Sequence, residues 1–571
     1  MHARLSLALV VGGVFSLEAF PAAAQVRLSL PAPLQETLSW REDPEFVLRG
    51  FEVRVRGGRL PRAFAAAIAR RGSAESTGAP GPAGVMRRRR PGTGDVPIAA
   101  DPLRIEVRPS LVTSPRRPDG LVMAYLDGSD CRVRRSSDRE GRWSEPVRLP
   151  TLSEKSVCGT PALAYSHEGR DLYAAYQDLR VITTLLAPDG SRIRQDNETD
   201  IVVARSSDDG RTWTPPVPAL DAPPLTVWYD CPGGVLEACV PRDFILGASY
   251  ERPSIAAGGD GSDGSGVYVA ATRVPNIDID GTQPPTIVEL ARSQTRGMSW
   301  SPPLALDEGR PAGPGTLVLT QGPRVATGPR GEVLVAWYHS AEDGPRFGTF
   351  EIRTRRSGSR GQTWGPIVVA AASERETGEV LGPAPFTRRW FTSMFPSALI
   401  DRQGRAHLVY TQDPEPFAAT AEQGDIRHVS SSGAPYTEWS EPVTVNDDGL
   451  GRAQGFPSLA TRRQGRVSVV EVVWEDTRLA PGSAPGLTPL QAGVSRYDVF
   501  HARLVPASGM GWSANRRVSD VSSAQNGAST NDRTGIAASD FGVVFAVWSD
   551  RRGKAGPTDP GDDLYGSRIL P

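Results

Sequence analysis

Lysine is almost absent: Lys155 and Lys554 are the only two, and arginine supplies every other basic side chain. So uniform a skew follows genomic composition and marks no site. Histidine is scarce too, with 6 in 571 residues, and the four cysteines show neither zinc-ligand spacing nor accompanying histidines, which argues against a zinc centre. Past the first two dozen residues no apolar run is long enough to span a bilayer as a helix, so no integral membrane segment is expected. The formal net charge is −1, and such a balance does not favour nucleic acid as a partner. The one basic run, Arg87 to Arg90, lies between Gly/Pro clusters and reads as a solvated linker or processing site. With 60 Gly and 51 Pro, turns should be abundant and long helices few.

The ends of the chain differ in texture. Residues 1–24 carry Arg4, an apolar stretch from Leu5 to Leu17 and Ala22-Ala23-Ala24 before Gln25, the pattern of a secretory signal. The chain is therefore expected to be secreted or periplasmic. Residues 25–100 are rich in Pro, Gly, Ala and Arg: Phe46 to Val55 alternates like a strand, Ala63 to Arg70 suits a short helix, and Gly72 to Pro97 reads as disordered. Residues 101–571 form the body.

That body is repetitive. The octet Ser206-Ser207-Asp208-Asp209-Gly210-Arg211-Thr212-Trp213 recurs in weaker form at Ser293 to Trp300, Ser357 to Trp364 and Ser136 to Trp143, and more loosely before Trp439 and Trp512. Asp and Ser side chains can bond the N–H groups of a tight turn, and Gly supplies its positive φ; the Trp can then pack back between sheets. The octet resembles the Asp-box, or BNR, repeat of the sialidase-like β-propellers. Short Pro-led segments recur as well (Pro109, Pro161, Pro253, Pro323, Pro396, Pro457), each followed by an apolar run. Several of those runs end in an aromatic with an acid two places on: Tyr125/Asp127, Tyr176/Asp178, Trp474/Asp476 and Trp548/Asp550. One unit thus reads as a four-stranded blade. Starts near Arg108, Thr160, Arg252, Gly322, Phe395, Phe456 and Thr530 predict an all-β propeller of seven blades, with six and a stray strand pair as the alternative. The seventh unit lacks its outer strand, which Leu103 to Val107 would supply, closing the ring.

Within that topology Cys131 and Cys158 lie in loops sharing a face and can pair across blades, while Cys231 and Cys239 bracket a Pro-Gly-Gly turn and can close a local loop. The Asp-box turns point to one face of the ring. The opposite face collects Arg108, Arg180, Arg252, Arg478 and Arg551, several beside an Asp. Such guanidinium groups either clasp a ligand carboxylate or pair with the neighbouring Asp to tie loops together. The family resemblance implies a clasp of arginines, a Tyr nucleophile paired with a Glu, and an Asp acid/base, an exception to the two-carboxylate rule of glycosidases. On this chain it assigns Arg108 and Arg252 to the clasp, Asp127 or Asp130 to the acid, and Tyr250 with Glu251 to the nucleophile and its base. Arg108 departs from the family pattern, because the Ile of its Arg-Ile-Pro segment is missing. In one further loop, Asn276, Asp278 and Asp280 before Gly281 resemble the opening of a calcium loop, an ordinary Asp-rich turn being the alternative, since Ile287 stands where that motif has Glu. No cofactor is otherwise required. The family resemblance implies a secreted sialidase-like glycoside hydrolase acting on a terminal acidic sugar of extracellular glycans, with a non-catalytic propeller binding an extracellular glycan or glycoprotein as the alternative.

Overall fold

Each sequence repeat folds as one antiparallel sheet, and seven such sheets are arranged as the blades of a β-propeller. The computed structural model describes residues 94–570 apart from 101–105, 138–141, 187–191, 233–239, 246, 259–265, 276–284, 314–315, 341–349, 373–394, 413–424, 449–453, 480–495, 506–510, 525–533, 551 and 553–562. Blade one comprises Glu106–Thr113, Leu121–Asp127, Asp130–Ser136 and Val147–Arg148. The inner strands of blades two to seven begin at Val157, Ala248, Thr320, Ser397, Gln454 and Thr534. The second strands are packed from both sides; Leu121–Asp127 and Val333–Ser340 are buried throughout, which explains their unbroken apolar texture.

The ring closes, though not with the strand expected from the sequence. Val96–Ala99 pairs antiparallel with the last strand, Asp563–Ile569, matching Val96 to Gly566 and Pro97 to Tyr565. Of the segment expected to do this, 103–105 lie outside the described residues, and Glu106 and Val107 begin the inner strand of blade one. Val96 and Pro97 accordingly belong to the propeller and not to the N-terminal region. Ile98 and Ala99 pack with Phe545 and Val547 of blade seven and with Leu111, Met123 and Tyr125 of blade one. Similar apolar clusters fill the interfaces between every other pair of successive blades. In six interfaces an Asp-box Trp seals the seam to the preceding blade: Trp143, Trp213, Trp300, Trp364, Trp439 and Trp512.

The Asp-box turn is held as its chemistry predicts. Ser206 Oγ accepts from Gly210 N at 2.7 Å, and Asp208 Oδ1 accepts from Arg211 N and Thr212 N, both at 2.9 Å. Burial opposes ionisation of Asp208, but bonds from Thr212, Ser206 and Arg211 outweigh it and hold its carboxyl down to about 2. Degenerate copies keep the geometry by substituting a hydroxyl: Thr295 Oγ1 accepts from Ser299 N, and Ser359 Oγ from Thr363 N, each at 2.8 Å. The turn needs two left-handed residues, for Asp209 has φ 59° and Gly210 φ 82°.

Five of the six recurrent prolines mark a bulge inside the inner strand and not its start; Pro396 alone directly precedes its strand, Ser397–Ile400. Ladder register slips between Val107 and Ser110, Gly159 and Ala162, Glu251 and Ser254, Gln321 and Arg324, and Gly455 and Ser458. Each gap contains a Pro, which cannot donate to the neighbouring strand, preceded by a residue of positive φ: Arg108, Thr160, Arg252, Gly322 or Phe456. The arginines at these bulges make contacts across blades. Arg108 Nη1 donates to Thr160 Oγ1 at 2.9 Å, and the Arg252 guanidinium lies 4.7 Å from the centre of the Phe395 ring.

Blade two is enlarged. Its second and third strands, Leu172–Leu186 and Arg192–Ser206, run on beyond the blade, and Leu225–Asp230 and Val240–Ile245 extend the sheet at its edge. Cys131 and Cys158 form a disulfide across blades one and two. Cys231 is also disulfide-bonded; its remaining possible partner, Cys239, lies outside the described residues. Among the described residues no helix is long and apolar enough to cross a membrane.

Candidate functional site

On the face opposite the Asp-boxes, strand alternation sets the design. Residues two apart share a side of a strand, so the Trp474 indole N–H reaches Asp476 Oδ2 at 2.9 Å and that of Trp548 reaches Asp550 Oδ2 at 3.0 Å. The chain then turns and returns an arginine to the same carboxylate. Arg478 bonds Asp476 Oδ2 through Nε at 3.0 Å and Nη2 at 2.8 Å, while Arg552 bonds Asp550 Oδ2 at 2.8 and 2.6 Å. Each guanidinium lies 4.3 Å from the centre of an aromatic ring of the third strand, Phe500 or Tyr565. Burial pushes the Asp476 carboxyl up, although the Arg478 and Trp474 bonds oppose it. Burial works against the Arg478 cation, yet its bonds to Asp476 and Asp447 prevail and raise it. Arg551, the residue expected on this face, lies outside the described residues.

Arg552 also seals the ring. It reaches Asp95 Oδ2 at 2.7 Å and Asp520 Oδ1 at 3.0 Å, joining the closing strand to blades six and seven. Burial first, then the contact with Asp520, pushes the Asp95 carboxyl up to about 7.

Blade two uses its arginine differently. Arg180 bonds Glu198, lies 2.7 Å from Asp200 Oδ2 and 3.4 Å from Asp178 Oδ1. Asp178 in turn accepts from Leu152 N and Ser156 Oγ, each at 2.9 Å, anchoring the loop from blade one. Glu198, Asp200 and Asp221 bring oxygens within 4.8 Å of one another. Three such ligands suit a hard cation in principle, but Arg180 already supplies positive charge there. Burial pushes Asp200 up to about 6, with Ala222 N and Arg180 opposing.

Tyr250 stands across the same seam. Its carboxylate partner is Glu289, on the third strand of its own blade, and not the adjacent Glu251. The physical reason is alternation: neighbours on a strand point to opposite sides, whereas strand register brings Glu289 within reach. Arg273 Nε is 3.4 Å from Glu289 Oε1, and Gln177 Nε2 donates to Tyr250 O at 2.7 Å. Tyr250 is only 1% exposed, and burial together with Glu289 raises its hydroxyl pKa above the ordinary tyrosine value. Glu251 is half-buried, opposite Thr272.

The other expected residues are also placed. Asp127 is buried and lies 2.7 Å from Arg132 Nε, while Asp130 lies 2.9 Å from Arg148 Nε. Arg108 and Arg252 are the buried bulge residues described above, 2% and 4% exposed. Asn276, Asp278 and Asp280 lie outside the described residues. Arg180, Arg478 and Arg552 thus occupy blades two, six and seven, and each forms ion pairs with a different set of carboxylates. Glu289, Asp200 and Asp307 escaped sequence reasoning. Asp307, from blade three, caps the Trp337 indole of blade four at 2.8 Å and lies 3.1 Å from Arg353 Nη1.

No protein-family model matches the sequence, and no curated protein does. Solved structures give a distant likeness. A protein of unknown function from Dyadobacter fermentans is 16% identical with a TM-score of 0.39, over 69% of this chain and 95% of that one. The Hadza microbial sialidase Hz136 is 12% identical with a TM-score of 0.39, over 79% and 75% respectively. The α-L-arabinanase of Penicillium chrysogenum, solved with arabinobiose, is 11% identical with a TM-score of 0.39, over 84% and 98%. At these values the likeness carries no assignment of activity.

Proposed function

We propose that the protein is a non-catalytic propeller that binds an extracellular glycan or glycoprotein. The observation that carries this reading is the use of the arginines. A substrate-carboxylate clasp needs several guanidinium groups with bonding capacity directed at one point, whereas Arg180, Arg478 and Arg552 are each engaged with carboxylates around their own blades. Arg108 and Arg252 are buried at the bulges. The ligand class rests on the resemblance of the Asp-box repeat, and residence outside the cytoplasm on the leader-like residues 1–24 together with the disulfide.

A second reading, a sialidase-like hydrolase acting on a terminal acidic sugar, has one observation in its favour. Tyr250 is bonded to a carboxylate, and Asp200, which influences its ionisation, has a carboxyl pushed up to about 6, within the range of a general acid. The deciding experiment incubates the purified protein with a fluorogenic sialoside and a panel of other glycosides, alongside a glycan-binding array. Binding without turnover supports the first reading. Turnover that disappears in Tyr250→Phe overturns it in favour of the second.

A further inference from the structure

The seam that closes the ring repeats an arrangement found in blade six, with one change of residue. In blade six Asn515 precedes the outer strand, Arg516–Arg517. Asn515 N donates to Asp447 Oδ2 and Asp447 N to Asn515 Oδ1, both at 2.8 Å. Arg478 donates to Asn515 Oδ1 at 2.9 Å and to Asp447 Oδ1 at 2.7 Å. The remaining polar atom, Asn515 Nδ2, donates to Val445 O at 2.9 Å. In blade seven Asp95 precedes the closing strand, Val96–Ala99. Asp520 N donates to Asp95 Oδ2 at 2.8 Å and Asp95 N to Asp520 Oδ2 at 3.2 Å. Arg552 lies 2.7 Å from Asp95 Oδ2 and donates to Asp520 Oδ1 at 3.0 Å. The remaining atom, Asp95 Oδ1, is buried with no hydrogen-bond partner among the described residues. Where Asn515 has a donor, Asp95 thus has a bare oxygen. The acceptor's position is kept, for Val518 stands two residues before Asp520 as Val445 does before Asp447, and each gives its N–H to the third strand of its own blade.

We infer that Asp95 holds a proton on Oδ1 in the role of the Asn515 amide, and that this proton latches the ring: its loss frees Val96–Ala99 from blade seven before the rest of the fold opens. Without the proton, Asp95 would be the third carboxylate around Arg552, after Asp520 and Asp550, and would bury a charged oxygen that no donor meets. The other groups facing it are accounted for: the last strand presents the Tyr565 ring beneath Arg552, and the closing strand carries no titratable side chain. Burial first, then the hydrogen bond with Asp520, pushes the Asp95 carboxyl up to about 7. For Asp520 burial is outweighed by the bonds from Asp95, and its carboxyl is held down, so the pair shares one proton. The strand is suited to local release. It has four residues, its ladder slips between Pro97 and Ala99, and its apolar anchors are Ile98 and Ala99. Once released, Asp95 returns to its ordinary value of 3.8. The opening constant therefore rises by up to about tenfold per pH unit from about pH 4 to about pH 7 and is level above. The latch is independent of the ligand and activity weighed above.

Amide hydrogen exchange of the full chain between about pH 5 and 8, corrected for the intrinsic pH dependence of exchange and resolved by peptide, tests it. The peptide carrying Val96, Ile98 and Ala99 should show an opening constant that climbs at least about tenfold from pH 5 to 7 and then levels. At every pH it should exceed the constant of Leu121–Asp127, in the core of blade one, by at least about tenfold. Asp95→Asn recreates the chemistry of Asn515, so it should hold the constant at its low-pH level throughout. Ile98→Ala weakens the seam without touching the proton; it should raise the constant by at least about tenfold and keep the slope, which preserves the test if Asp95→Asn fails to fold. A constant that does not change between pH 5 and 7, or a slope that survives Asp95→Asn, overturns the inference. Equal constants for Val96–Ala99 and Leu121–Asp127 overturn it as well, because the strand would then open only with the whole fold.

Discussion

Replacing Asp476 with alanine removes one acceptor that holds four donors. The carboxylate is fully buried. It takes the Trp474 indole N–H at 2.9 Å, the Arg478 backbone N–H at 2.8 Å, and two guanidinium nitrogens at 3.0 and 2.8 Å. Deleting one partner of a buried ion pair costs about 3–5 kcal/mol. Arg478 retains Asp447 at 2.7 Å and Asn515 at 2.9 Å, which places Asp476→Ala near the lower end, at about 3 kcal/mol. Asp476→Asn keeps an acceptor for the indole but loses the charge, and should cost about 1–2 kcal/mol. Arg478→Ala leaves the carboxylate buried beside the indole, again at about 3 kcal/mol, and the double variant should reveal coupling of about 1 kcal/mol or more. Urea unfolding followed by tryptophan fluorescence measures all four proteins. If Arg478→Ala costs less than about 0.5 kcal/mol, within the range of an inconsequential surface change, yet abolishes glycan binding, the guanidinium belongs to a ligand site and the structural argument fails.

Two further outcomes follow from the same geometry. Replacing both Cys131 and Cys158 with serine opens a loop of sequence separation 27 and should lower stability by about 3–4 kcal/mol on the chain-entropy account; an unchanged unfolding midpoint would contradict this. Asp95 binds its proton more tightly when folded, at about 7, than at its ordinary value of 3.8. Its contribution to stability is therefore complete below about pH 4 and is lost as pH rises through about 7, with a slope of at most about 1.4 kcal/mol per pH unit. Asp95→Asn, permanently neutral, should flatten melting temperature against pH between about 5 and 8; an unaltered slope would refute the assignment.

What the sequence revealed depended on how local the cause was. The Asp-box is legible because every bond in it joins residues within four positions, as Ser206 to Gly210 shows. The Asp476 and Asp550 pairings could be read because strand alternation brings residues two apart together. Tyr250 with Glu289 could not, since 39 positions separate them and only register joins them. The closing strand was hidden by its brevity: Val96-Pro97-Ile98-Ala99 has four residues and includes a proline. Leu103 to Val107 has the better alternation, yet its last two residues are already committed to blade one. The repeated prolines signalled the blades correctly, but the strand start correctly only at Pro396, because a bulge is specified by the partner strand as much as by the residue that forms it.

Sealing the circle with the first and last of the described strands imposes a timetable on biogenesis. Val96–Ala99 emerges from the ribosome long before Asp563–Ile569, the segment it pairs with. Throughout elongation its ladder groups must wait unmatched, and the first blade must wait for the apolar neighbour it finally meets in blade seven. Native closure therefore awaits synthesis of Asp563–Ile569, and in that interval strands of separate molecules compete for the same edges. Yield should depend on how dilute, or how well chaperoned, the growing chains are kept.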